Sequence, residues 1–213
     1  MATGRVTLRL TEPIGTIEKN IKRAIATELN SRVRTRRARL LGKMKRAVES
    51  WVSSSRFIRD LGNGGIGSIA AELGITAGNE SIVVNSITSA IVESTVLDVT
   101  KFTTTLQGGI QIRFQPSNFI NLLSLPDGFT VTEKGDQLHW MDWLINKGDQ
   151  VIIFDYTFTP GLEGRSGGGV MLGGGSYRVN PFYSGTADSN VFTDIFRNRE
   201  QAIADIVEQE IFG

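Results

Sequence analysis

The sequence predicts an α+β protein: a long kinked N-terminal helix, an antiparallel β-sandwich-like domain, an extended Gly-rich arm and a C-terminal helix. Three observations carry this. Apolar residues recur every three or four positions from Ile17 to Trp51, stretches rich in Val, Ile, Thr and Phe follow, and nine of the 24 glycines fall within residues 160–190.

The first region, 1–60, is basic and helical. Thr11 or Thr16 is placed to cap a helix whose stripe is Ile17, Ile21, Ile25, Leu29, Val33, Leu40, Met44, Val48 and Trp51. The stripe lapses at Arg36 and Arg37, and Gly42 follows, which predicts a kink or break near 35–43. Two short helical pieces come next, separated by the glycine turn 62–67. The spacing of Ile66, Ile69, Ala70 and Leu73 supports a two-turn helix ended by Gly74.

The second region, 61–159, reads as antiparallel β-structure with short helices. "SIVVNSITSAIVESTVLDVTKF" and "GGIQIRFQP" read as strands, with Gly108–Gly109 as a hairpin turn. Further strands are expected at about 128–133 and 150–159, with a short helix over 137–146 ending at Gly148. Strands joined by hairpins favour antiparallel over parallel pairing.

Residues 160–190 read as a long loop or arm, its anchors Val170, Met171, Leu172, Tyr177, Val179, Phe182 and Tyr183 spaced by glycine so as to lie on another surface. The last region, 191–213, carries Phe192, Ile195, Phe196, Ile203, Ile206 and Val207 as a helical stripe.

Charge is segregated beneath a net value of only +1. Residues 1–60 hold 15 Lys and Arg against 5 acids, and residues 61–213 hold 8 against 17, so the two parts carry +10 and −9. The stretch "RVRTRRARLLGKMKR", residues 32–46, has eight basic residues and no acid. A solvated helix face is the bland reading of such a run. Here the run also crosses the apolar seam, which favours a partner: an acidic surface, on another copy or another ring, or the phosphates of nucleic acid. Arg32, Arg34, Arg36, Arg37, Arg39, Lys43, Lys45 and Arg46 are therefore the candidate subunit-interface or DNA-channel residues. Val170, Met171, Leu172, Tyr177, Phe182 and Tyr183 are the candidate interface arm.

Other chemistry is scarce. The chain has no Cys, which excludes disulfides, thiolate zinc and cysteine nucleophiles and fits a reducing compartment. No apolar run approaches the ~18–20 residues of a membrane span, and the N-terminus lacks a signal-peptide core, so a soluble, unprocessed protein is expected. His139 is the single histidine, flanked by Leu138 and Trp140, and reads as structural. "GRSGGG" and "LGGGSY" lack the Lys of a phosphate-binding loop. Trp140 and Trp143 read as core. No catalytic residue, metal ligand or cofactor is assigned, and the chain is read as not an enzyme.

The order of parts, with "WMDWLINKGDQVII" and "RSGGGVMLGGGSYRVNPFYSGTADSNVFTDIF" as its most specific stretches, resembles the neck and tail-completion proteins of tailed bacteriophages. The resemblance covers most of the chain. It implies a homo-oligomeric ring in the virion neck between portal and tail, assembled in the host cytoplasm. Portal or adaptor and tail proteins would be its partners, viral DNA would pass through the lumen with non-specific contact, and no membrane would be involved. Connector, stopper and tail-terminator roles are not separated by any motif. The alternatives are a stand-alone nucleic-acid-binding protein using the basic helix, and a glycan hydrolase using two of the scattered carboxylates.

Overall fold

In the computed structural model, which describes residues 11–131 and 135–213, the first helix, α1, spans Ile14–Ser54. Pro13 occupies its N-cap position with no side-chain cap, so neither threonine serves there. The helix runs unbroken through 35–43, so the break allowed for there does not occur. The long side chains at the lapse explain why: Arg36 donates to the Glu210 carbonyl at 2.6 Å and Arg37 to the Leu97 carbonyl at 2.8 Å. The seam turns polar there rather than ending. Gly42 has only the tip of Arg46 near it, so it costs the helix about 1 kcal/mol of propensity and no packing.

Ser55 then caps α2, Arg56–Asn63, by accepting from the Ile58 amide, and Ser68 does the same for α3, Ile69–Glu72, through the Ala71 amide. Gly74, at φ +72°, follows α3 as the spacing predicts, but the helix is one turn rather than the expected two and begins at Ile69. The next element corrects the sequence reading. Residues Glu80–Ser94 form a helix, α4, where strand was expected. Its Val83, Ile87 and Ile91 stand one turn apart, and all three are buried in the main core with Val48 and Val52 of α1. A β-branched residue costs a helix only a few tenths of a kcal/mol, whereas burying each such side chain gains about 1.5–3 kcal/mol. Tertiary packing therefore decides.

The β-structure is three separate two-stranded antiparallel sheets among the described residues rather than one sandwich. In the first, β1 (Val96–Thr100) pairs with β2 (Gly109–Arg113), Leu97 opposite Ile112 and Thr100 opposite Gly109. Residues 101–108 make the connection, so Gly108–Gly109 closes the loop instead of forming a tight turn. A short helix, α5 (Ile120–Leu123), leads to β3 (Thr130–Val131), which pairs with β4 (Gln137–Leu138). Helix α6, Trp140–Asn146, ends before Gly148 at φ +57° as expected but starts later than the expected 137, because Gln137 and Leu138 pair as β4. Trp140, Met141, Trp143, Leu144 and Ile145 are all buried, which marks it as a central core helix.

The third sheet overturns the arm. β5 (Ile153–Pro160) pairs with β6 (Gly169–Tyr177) from Ile153 opposite Tyr177 to Pro160 opposite Gly169, with a bulge at Asp155 whose φ is +63°. The glycines serve close approach. A Cβ at Gly168 would lie 2.1 Å from the Gly65 carbonyl oxygen, and Gly67 donates its amide to Gly168 across the same junction at 2.9 Å. The C-terminal region is two helices rather than one. α7, Val191–Asp194, is capped reciprocally by Asn190 and Thr193, and α8 spans Glu200–Ile211.

One core runs from Val48 and Val52 to Phe192 and Ile195, and so joins all four sequence regions. A second, smaller cluster holds Val33, Leu40, Leu97 and Ile211 where α1, the first sheet and α8 meet. Among the described residues no helix is long and apolar enough to cross a membrane.

Candidate functional site

α8 lies along α1 and runs opposite to it. The Arg199 guanidinium sits 5.3 Å from the Trp51 ring at one end, and Arg32 reaches the Ile211 carbonyl at the other. The basic run is what receives α8. Glu210, 3% exposed, accepts from Lys43 Nζ at 2.7 Å and faces Arg39 Nε at 3.4 Å. Arg36 and Arg32 meanwhile donate to the carbonyls of Glu210 and Ile211, the last of α8. Cations at a helix C-terminus satisfy unpaired carbonyls and the dipole together. The Lys43 hydrogen bond holds the Glu210 carboxyl below its ordinary value, with Arg39 and Arg36 adding and burial opposing.

The remaining run divides. Arg32 also pairs with Glu28 at 2.6 Å, Arg37 caps the Leu97 carbonyl of β1, and Lys45 meets Glu93 of α4 at 2.8 Å. Arg34 and Arg46 are exposed and have no partner among the described residues. Towards the N-terminus, Lys19, Lys22 and Arg23 are exposed and no carboxylate pairs with them among the described residues. Six of the eight candidate residues thus meet groups of the same chain: Arg32, Arg39, Lys43 and Lys45 pair with carboxylates, and Arg36 and Arg37 with backbone carbonyls. Sequence reasoning missed Glu210. Its signal was the pair Arg36 and Arg37 at seam positions, which require acceptors on whatever covers the seam.

The candidate arm anchors are also engaged within the chain. Val170 and Met171 are half-buried, and Leu172 is exposed at mid-strand. Tyr177 is buried, its ring edge-on to Trp143 at 6.0 Å and its hydroxyl donating to the Glu72 carbonyl at 3.4 Å. Burial, with the adjoining Glu72 charge, pushes the Tyr177 phenol up. Burial also raises the Glu72 carboxyl, against the lowering effect of Tyr177 and Asn180. Tyr183 donates to Asp60 at 2.6 Å, and exposed Phe182 stacks under the Arg56 guanidinium at 4.7 Å.

Beneath the β5–β6 ribbon lies a cavity of about 590 Å³, walled by Leu73, Trp143, Tyr156, Phe158 and Met171 with Glu72 at its side. Comparison with protein families, curated proteins and solved structures finds no match. Among the described residues no group of three or more His, Asp or Glu side chains is placed to hold a metal ion. His139 stacks on Phe129 at 4.1 Å, consistent with a packing role. "GRSGGG" is the tight junction between β5 and β6, with Ser166 bonded to the Gly169 carbonyl, and its amides serve the fold.

Proposed function

We propose that this chain is a structural protein of a tailed-phage virion, a homo-oligomeric ring component of the neck between portal and tail, and that it is not an enzyme. The observation that carries the reading is the two-part use of α1. One side of the basic run is consumed in seating α8, while Lys19, Lys22, Arg23, Arg34 and Arg46 stay exposed without carboxylate partners among the described residues. A helix braced by its own chain and still carrying free cations suits contact with a polyanion or an acidic neighbour without base-reading residues. The two stretches behind the resemblance are fold elements. "WMDWLINKGDQVII" is the buried α6 with the start of β5, and the glycine-rich stretch is β6 packed on it through Tyr177, so the likeness lies in the centre of the fold.

Arg23 and Arg34 lie within about 20° of each other around the helix at 3.6 residues per turn, with Lys19 adjacent. This line of cations favours DNA in the lumen over protein docking for the residues left free. It equally supports the second reading, a stand-alone nucleic-acid-binding protein. Immunogold labelling of virions of the phage that encodes the chain separates the two. Label at the head–tail junction is expected, and label absent from virions refutes the neck reading.

A further inference from the structure

α8 ends beside Arg32, yet α1 extends a further 18 residues, 14–31, or about 27 Å, past that end. On this extension Ile14, Ile21 and Ile25 are 68%, 53% and 42% exposed. At 3.6 residues per turn they fall within about 40° of one another, with Ile17 on the flank. The stripe points in nearly the same direction as Arg32, Arg36, Arg39 and Lys43, the residues that receive α8 further along. A face that is covered by a helix over one half and, among the described residues, bare over the other calls for a second helix in line with the first.

We propose that the occupant is the same segment of a second copy, packed antiparallel about a two-fold axis near Lys19–Asn20. The charges select this arrangement. Glu18 and Lys22 lie on one flank of the stripe, and antiparallel pairing with Ile14 opposite Ile25 sets Glu18 against the partner helix's residue 22 and Lys22 against its residue 18. Ile17 and Ile21 then face each other across the axis. In the parallel alignment Glu18 and Lys22 look towards the opposite flank, which carries Asn20 and Ala24, and gain nothing. A seam of twelve residues is short beside the roughly 1,200–2,000 Å² of a stable complex, so the association is weak and concentration-dependent. A two-fold contact closes on itself and cannot propagate a ring. This inference therefore stands apart from the neck reading and concerns the free protein.

Sedimentation equilibrium of the purified full chain tests it. The wild type should show a monomer–dimer equilibrium, Ile21→Asp should be monomeric with unchanged circular dichroism, and Glu18→Lys should weaken the dimer more than tenfold. The double variant Glu18→Lys with Lys22→Glu should recover most of that loss, because both intermolecular pairs are restored with reversed sign. The chain contains no Cys, so introduced thiols report cleanly. Mixed Ile14→Cys and Ile25→Cys chains should cross-link to each other in preference to themselves. A wild type that stays monomeric to its solubility limit, self-linking at position 14, or failure of the double variant to recover would overturn the proposal. An oligomer that survives Ile21→Asp would overturn it too, while leaving a ring built through other surfaces intact.

Discussion

Removing two arginines from the basic run should have unequal consequences depending on which two are removed. Arg36→Gln with Arg37→Gln and Arg34→Gln with Arg46→Gln each subtract two positive charges from α1, so non-specific effects of charge cancel between them. The first pair loses the hydrogen bonds to the Glu210 and Leu97 carbonyls, at 2.6 and 2.8 Å, because glutamine is too short to reach. A hydrogen bond from a charged donor contributes about 1.5–3 kcal/mol, and partial exposure brings each of these to about 1 kcal/mol. The pair should therefore destabilise the fold by about 2 kcal/mol. For a chain of this length that lowers the melting temperature by roughly 4–8 °C. The second pair, which has no partner among the described residues, should stay within about 0.5 kcal/mol of wild type. Urea titration followed by circular dichroism gives both values. Equal midpoints for the two variants would show that the run is a solvated face throughout and that its seating of α8 contributes nothing.

The Glu210 carboxyl is held below its ordinary value of 4.5, so its contribution is fully present above that pH and is lost as pH falls through the depressed folded value. The stability gap between wild type and Glu210→Gln should be widest above pH 4.5 and close on the acid side, and a gap constant through the acid limb would contradict the pairing with Lys43. Gly168→Ala places a methyl 2.1 Å from the Gly65 carbonyl oxygen and should unseat the ribbon, exposing residues 161–175 to limited proteolysis that spares the wild type. Equal resistance of the two would show that the junction is not close-packed.

Much of the architecture was legible because its signals are local. α1 follows from the 3.6-residue recurrence of Val33, Leu40, Met44 and Val48, and α6 from its bounded apolar run ending at Gly148. The failures share a physical cause. In α4 the residues Val83, Ile87 and Ile91 satisfy helical spacing, but their β-branched neighbours mimic a strand, and only the surface of α1 and α2 decides between them. The ribbon failed differently. Gly167–Gly169 and Gly173–Gly175 read as conformational freedom, whereas at Gly168 and Gly169 the glycine is required because neighbouring backbone and the Phe158 ring leave no room for a Cβ. For the candidate site, the run of cations was legible and its intramolecular acceptor was not. Glu210 is more than 160 residues away in the chain, and nothing local distinguishes it from exposed Glu208.

The central proposal, that α1 is a strut braced by α8 whose free cations would face a neck lumen or an adjoining ring, is tested most directly by a cryo-electron reconstruction of the neck of virions that carry the chain. The account predicts a ring of this fold at the head–tail junction, with Arg39 and Lys43 closed on Glu210 inside each subunit and Arg23 and Arg34 turned towards DNA or an acidic neighbouring surface. A neck without this fold, or one in which Arg23 and Arg34 face bulk solvent on the outside of the ring, would contradict it.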